Sequence, residues 1–224
     1  MKITKRQKTW ANLDTDKVYS LPEAIDALRE YTSKKFDESL EIAIRLGVDV
    51  TKADQNIRGM LSLPNGTGKT ARVAVFTVNS ADEAKKAGAD VVGGEDLIER
   101  VAGGEINFDR VIATPDMMPK MSKIARILGP KGLMPNPKLG TVTNNVADAV
   151  ATAKAGQIEY RAEKKGIIHA GVGKMSFATD KLVENINALV DQLKKVKPAS
   201  VKGQYILGAA VATTQGPGLK VDVK

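Results

Sequence analysis

The chain has 224 residues, enough for one large domain or two ordinary ones with cores of their own. Lys+Arg total 34 against Asp+Glu 26, so the net charge is +8, a balance that favours an anionic partner such as nucleic acid. The absence of Cys excludes a disulfide framework, a thiolate metal site and a Cys nucleophile, and a single His excludes a multi-histidine metal cluster.

Residues 1–10 carry Lys2, Lys5, Arg6 and Lys8 with no apolar core behind them, so they do not read as a signal peptide. No run of about 18 apolar residues marks a membrane span. A cytoplasmic protein with no membrane partner is the expectation. Residues 36–46 alternate, with Phe36, Leu40, Ile42, Ile44 and Leu46 against Asp37, Ser39, Glu41, Ala43 and Arg45. This predicts a long strand with one buried and one wet face, broken on the buried side only by Glu38. Residues 65–70 read as a flexible crossing. A buried strand follows over 72–78, then a helix over 81–87 stopped by Gly88, a strand over 89–92 and a helix over 94–102 closed by Gly103-Gly104. Next come a strand over 110–113 and a helix over 121–128, with Ile124, Ile127 and Leu128 at helical spacing. A Gly/Pro-rich loop spans 129–140, and a helix over 145–155 ends at Gly156. Residues 157–161, 166–172 and 204–214 read as extended. Between the last two, Leu182, Ile186, Leu189, Leu193 and Val196 form a helical stripe, with Thr179 placed as N-cap and Pro198 ending it.

The βαβα rhythm in the middle implies a parallel sheet with helices on its faces. The strands and helices of the two ends suit one shared antiparallel layer. The expected fold is thus an α+β terminal domain built from both chain ends, residues 1–65 and 157–224, with an inserted α/β Rossmann-like domain of residues 66–156. Gly66, Gly68 and Gly156 mark the crossings and suit a hinge. The inserted part holds 12 Lys+Arg and 10 Asp+Glu, leaving 22 against 16 outside it, so the two-ended domain carries most of the positive charge.

Two features invite an enzyme reading, and both fail. Asn65-Gly66-Thr67-Gly68-Lys69-Thr70 has Leu63 where a P-loop needs its first Gly, and it runs into a strand, so no helix N-terminus faces a phosphate. His169 sits mid-strand with no nucleophile arrangement nearby. A small Rossmann-like nucleotide-binding enzyme therefore remains only as the alternative, and neither a catalytic residue nor a cofactor is assigned.

RNA recognition needs cations on phosphate together with groups that reach riboses and base edges. Three distant segments offer them: Lys34, Lys35 and Phe36; then Lys164, Lys165, His169 and Lys174; then residues 213–218, where Thr hydroxyls and Gly-exposed backbone allow close approach. Aromatics make up only 4% of the chain, which argues for a folded RNA read by shape rather than a stacking platform.

Five strings complete the reading: the loop Gly129-Pro130-Lys131-Gly132-Leu133-Met134-Pro135-Asn136-Pro137-Lys138-Leu139-Gly140, then Lys35-Phe36-Asp37-Glu38-Ser39, Asp54-Gln55-Asn56-Ile57-Arg58-Gly59, Gly166-Ile167-Ile168-His169 and Thr213-Thr214-Gln215-Gly216-Pro217. Together they resemble the ribosomal protein L-one family of the large subunit, in its bacterial type. The resemblance covers nearly the whole chain. It implies the same two-domain architecture and a non-enzymatic role in the ribosome: binding ribosomal RNA at the mobile stalk, assisting release of deacylated tRNA from the exit site, and repressing translation of the protein's own messenger RNA. By position it assigns RNA binding to Lys35, Phe36, Thr214, Gln215 and Gly216, joined by Lys52, Lys165, His169 and Lys174, with Lys131 and Lys138 as secondary contacts. This chain departs from the family at Gln215, where Met is usual, and at Val50-Thr51-Lys52, where relatives often carry two basic residues.

Overall fold

A computed structural model describes residues 4, 8–11 and 13–223. Most of the basic N-terminal stretch discussed above lies outside the described residues. In chain order the elements are β1 (Val18–Tyr19), α1 (Leu21–Glu30), β2 (Ser39–Leu46), β3 (Arg58–Ser62), β4 (Val73–Phe76), α2 (Ala81–Lys86), β5 (Val91–Gly93), α3 (Glu95–Ala102) and β6 (Arg110–Ala113). They continue with α4 (Met118–Met121), α5 (Ala125–Leu128), α6 (Val146–Lys154), β7 (Gln157–Arg161), β8 (Ile167–Lys174), α7 (Thr179–Lys195), β9 (Ile206–Thr213) and β10 (Gly218–Val221). The chain divides into two compact units, one of Met1–Gly68 with Ile158–Lys224 and the other of Lys69–Gln157. Among the described residues no helix is long and apolar enough to cross a membrane, and no cluster of ligating side chains could hold a metal ion.

The first unit is built on a five-stranded sheet in the order β1-β10-β9-β2-β8, antiparallel except for the β1–β10 pair. The alternation in β2 puts Leu40, Ile42, Ile44 and Leu46 on one face, where each is at most 2% exposed. Helix α1 covers that face with Leu21, Ala24, Ile25 and Leu28, and α7 with Leu182, Ile186, Leu189 and Leu193. The other face, with Glu41, Arg45, His169 and Lys220, is exposed. A separate ladder of β3 and β7 is joined by an Arg58–Glu159 ion pair at 2.8 Å.

Two expectations are corrected here. The strand starts at Ser39 rather than residue 36, because the Glu38 side chain bonds backbone N–H groups of two loops instead of continuing the pleat. Thr179 is the first residue of α7 and not its N-cap, which is Ala178; its hydroxyl instead donates to Asp26 of α1 at 2.8 Å.

The second unit holds a parallel sheet in the order β5-β4-β6. Alternation in β4 sends Ala74 and Phe76 into one core with α3, Met117, Met121, Ile124 and Leu128, and Val73 and Val75 into another with Ala84 of α2 and Val146, Val150 and Ala153 of α6. The helix expected over 121–128 is broken: 3-10 turns at Pro115–Met117 and Ser122–Ile124 alternate with the short α4 and α5. Pro119 enters at the start of α4, and Ser122 turns its hydroxyl back onto the Pro119 carbonyl at 2.7 Å, a local bond that competes with the helical ladder. Asp90 fastens the start of β4 by accepting the Val73 N–H at 2.8 Å, and Lys154 of α6 lies 3.2 Å from the same carboxylate. The Val73 N–H bond, and then Lys154, hold the Asp90 carboxyl below the ordinary value of 3.8.

The crossing expected to be loose at residues 65–70 is fastened at its start. Asn185 is fully buried in α7; its Oδ1 accepts the Asn65 N–H at 3.1 Å, and its Nδ2 donates to the carbonyls of Gly66 at 3.0 Å and Val172 at 2.7 Å. Replacing Asn185 by Leu keeps its approximate bulk and orphans those groups. The variant should lose about 2–4 kcal/mol of stability in urea unfolding, and a loss below about 0.5 kcal/mol would show the clamp to be incidental. In the second unit, a carboxyl with a lowered folded pKa stabilises above its unfolded value and loses that effect as pH falls. The stability gap between the wild type and Asp90→Asn should therefore be present at neutral pH and close below about pH 4, as read by thermal melts across pH.

Candidate nucleic-acid interface

Sheet register brings three loops to one end of the first unit. Ser39 pairs with Lys174 and Leu40 with Thr213, so the loop before β2, the turn after β8 and the loop after β9 all meet there. Glu38 is the tie between them. It is 1% exposed, and its two carboxylate oxygens accept the N–H of Ser33 at 2.7 Å and of Gln215 at 3.1 Å, while its carbonyl accepts the Met175 N–H at 2.9 Å. Asp37, beside it, accepts both the N–H and the hydroxyl of Ser176, at 3.1 and 2.7 Å. Thr214 closes the frame: its hydroxyl oxygen accepts the Ser39 N–H at 2.9 Å, and its N–H donates to the Ser39 carbonyl at 3.1 Å.

Around this frame Lys34, Lys35, Thr214 and Gln215 are exposed, and the Phe36 ring stands 44% exposed where a buried strand position was expected. Gly216 lies so close to Thr213 that a Cβ there would sit 2.2 Å from the Thr213 hydroxyl oxygen, which is itself buried and without a hydrogen-bond partner. Close approach, not a left-handed backbone, thus requires glycine at 216. Lys174 is half-buried and spends one donor on the Asp37 carbonyl at 3.0 Å, so it braces the frame as well as carrying charge.

The remaining candidates lie elsewhere. His169 is exposed in mid-strand opposite Ala43, with its Nε2 3.9 Å from Glu163. Lys52 and Lys165 sit at the Leu46 end of β2, beside Arg45 and Lys202. That strand has eight residues, so its two ends are roughly 23 Å apart. The structure therefore does not gather all the candidates; it forms one group around Thr214 and another around Lys52. In the second unit the 129–140 loop is anchored by Leu133, Met134, Pro135 and Leu139, while Lys131 and Lys138 face solvent. Gly66, Gly68 and Gly156 have φ of 67°, 72° and 89°, a backbone region that glycine alone enters freely.

Residues 28–217 match the Ribosomal protein L1p/L10e family. The chain belongs to that family. L1p/L10e proteins are structural components of the ribosome that bind ribosomal RNA, not enzymes, and the matched span runs from α1 through Pro217, taking in all three loops of the Thr214 group. Sequence reasoning about this L1p/L10e chain missed Asp37 and Glu38 as organising residues. The signal for Glu38 was present: a lone acid at an inward position of an otherwise apolar row has to find donors. Glu38→Gln should expose the test of this frame, since its amide presents a donor to one of two N–H groups that both need an acceptor. Faster amide hydrogen exchange at Ser33 and Gln215, with α7 unaffected, is the expected result; unchanged exchange at both amides would remove Glu38 from its role.

Proposed function

We propose that the two-ended unit is the RNA-binding domain of this ribosomal protein and grips folded large-subunit ribosomal RNA at the mobile stalk. The observation that carries the reading is the convergence of Lys35, Phe36, Thr214, Gln215 and Gly216 on one hydrogen-bonded frame. Such a frame presents a cation, an aromatic face and a close-approach backbone in fixed relation, which suits shape recognition of folded RNA. Lys52, Lys165, His169 and Lys174 extend the cationic surface. Gln215 carries an amide in place of the family's usual thioether, which either adds a hydrogen bond to the contact or weakens it. Residues 66–156 act as an inserted Rossmann-like domain that contributes reach, with Gly66, Gly68 and Gly156 as the hinge and Lys131 and Lys138 as a secondary RNA contact.

On this reading the protein works in the cytoplasm, assists the release of deacylated tRNA from the exit site, and represses its own messenger RNA where that messenger copies the ribosomal RNA fold. Nucleotide hydrolysis is disfavoured because β4, a strand, follows Lys69 and Thr70.

The test is binding of a stalk RNA fragment against an unrelated hairpin at about 0.15 M salt. Stalk RNA should win by at least about tenfold, a difference of ~1.4 kcal/mol. Lys35→Gln should lower the salt dependence of log K by about 1, whereas Phe36→Ala should cost about 1–3 kcal/mol with the slope unchanged. Equal binding of the two RNAs would overturn the assignment.

A further inference from the structure

The Asn65-Gly66 pair, which fails as a nucleotide loop, has a reactivity of its own. An asparagine side-chain amide is open to attack by the backbone nitrogen of the next residue. Glycine makes that attack easiest, because it has no Cβ to block the approach and the widest backbone freedom. This is the only Asn-Gly sequence in the chain.

The fold holds both partners of that reaction. Residues 63–66 form a turn in which the Gly66 N–H donates to the Leu63 carbonyl at 3.1 Å, with Pro64 setting the backbone at its second position. The half-buried Asn65 side chain lies on α7, where its Nδ2 donates to the Glu184 carboxylate at 2.8 Å and to the Lys181 carbonyl at 3.3 Å. Asn185 completes the clamp, taking the Asn65 N–H and giving to the Gly66 carbonyl. A nitrogen that donates its proton to Leu63 is no nucleophile, and a side chain held on α7 cannot rotate onto it. Both bonds have to open first.

The surroundings also make the conversion one-way. Glu184 and the Lys181 carbonyl are both acceptors, matched to the donors of an amide. A carboxylate at position 65 has no proton for either and sets a second negative charge beside Glu184. An isoaspartate, in addition, inserts a methylene into the main chain between the Asn65 N–H and the Gly66 carbonyl, the two groups that Asn185 spans.

We propose that Asn65 is a deamidation site gated by the α7 clamp: local opening of the 63–66 turn admits attack by Gly66, and the product cannot refasten. The deprotonated Gly66 nitrogen bonds to Asn65 Cγ. The bond from Cγ to Nδ2 breaks, and ammonia leaves carrying the proton that Gly66 lost. Solvent water then adds across one carbonyl of the cyclic imide, which opens to aspartate or isoaspartate. The sum is amide plus water to acid plus ammonia, with nothing oxidised or reduced. The extent of conversion therefore records how often the turn has opened. Every group involved lies in residues 63–66 or on α7, so the inference stands apart from the RNA-binding reading.

The test incubates the full chain at neutral pH, folded and in urea. Mass spectrometry of the peptide carrying residue 65 follows the conversion, and enzymatic methylation scores isoaspartate. Folded wild type should convert at least about tenfold more slowly than the unfolded chain. Glu184 is exposed on α7, so Glu184→Ala keeps the fold; it should speed conversion in the folded protein by about threefold or more, with Asn79-Ser80 unchanged as the internal reference for unfolding. A second measurement reads the consequence. Asn65→Asp should raise amide hydrogen exchange at Gly66 by about tenfold, and adding Glu184→Gln, whose amide can donate to the new carboxylate, should restore most of the protection. Equal rates for folded and unfolded wild type, no acceleration in Glu184→Ala, or unchanged Gly66 exchange in Asn65→Asp would overturn the proposal.

Discussion

A carboxyl group removed from water must have its oxygens hydrogen-bonded, or it costs more than its burial returns. Glu38 meets that demand with the N–H groups of Ser33, in its own loop, and of Gln215, 177 residues away. The consequence runs outward. Because Glu38 turns to these donors, β2 starts only at Ser39, the Lys35–Phe36 segment is thrown clear of the sheet, and the Thr214 loop is drawn alongside it. The buried Glu38 side chain is the central tie of this end. Its neighbours repeat the logic, since Asp37 fixes Ser176 and Thr214 fixes Ser39.

That dependence explains which parts of the molecule were legible in sequence. The alternation of β2 from Leu40 to Leu46 and the apolar stripe of α7 from Leu182 to Leu193 report directly on burial, and both elements are found, though β2 starts at Ser39 and Val196, expected in the stripe, lies just past α7 and is exposed. The short helices and strands of the second unit are found too, their ends marked by Gly88, Gly103 and Gly156. The failures occur where a side chain leaves the regular pattern for a hydrogen bond the spacing does not show. Phe36 looked like a core position because hydrophobicity cannot show that the strand has not yet begun. Thr179 looked like a cap because spacing cannot show that its hydroxyl goes to Asp26. The 121–128 segment has the apolar spacing of a regular helix, but it is broken by a 3-10 turn at Ser122–Ile124, where the Ser122 hydroxyl bonds the Pro119 carbonyl.

The candidate site was legible residue by residue but not as geometry. Motif resemblance named Lys52 and Lys165 together with Lys35 and Thr214, and nothing in a linear string separates them. The sheet does: antiparallel pairing of β2 with β8 and β9 fixes which loop falls at which end, and an eight-residue strand keeps the two ends apart.

The two ends also differ in what they offer a nucleic acid. At the Thr214 end the chain is already ordered by the hydrogen bonds of Glu38, Asp37 and Thr214, so little conformational freedom is lost when a partner docks, and a misfitting partner is poorly accommodated by loop movement. That is the condition for selectivity by shape. At the Lys52 end the donors stand on long, exposed side chains whose attraction is general to phosphate and weakens with salt. Attraction of that kind raises affinity and encounter rate for any RNA, and it discriminates poorly. On the proposed RNA-binding reading, a selective contact on the ordered frame and a general one on exposed cations at the far end of the same strand would let the second strengthen binding without relaxing the first.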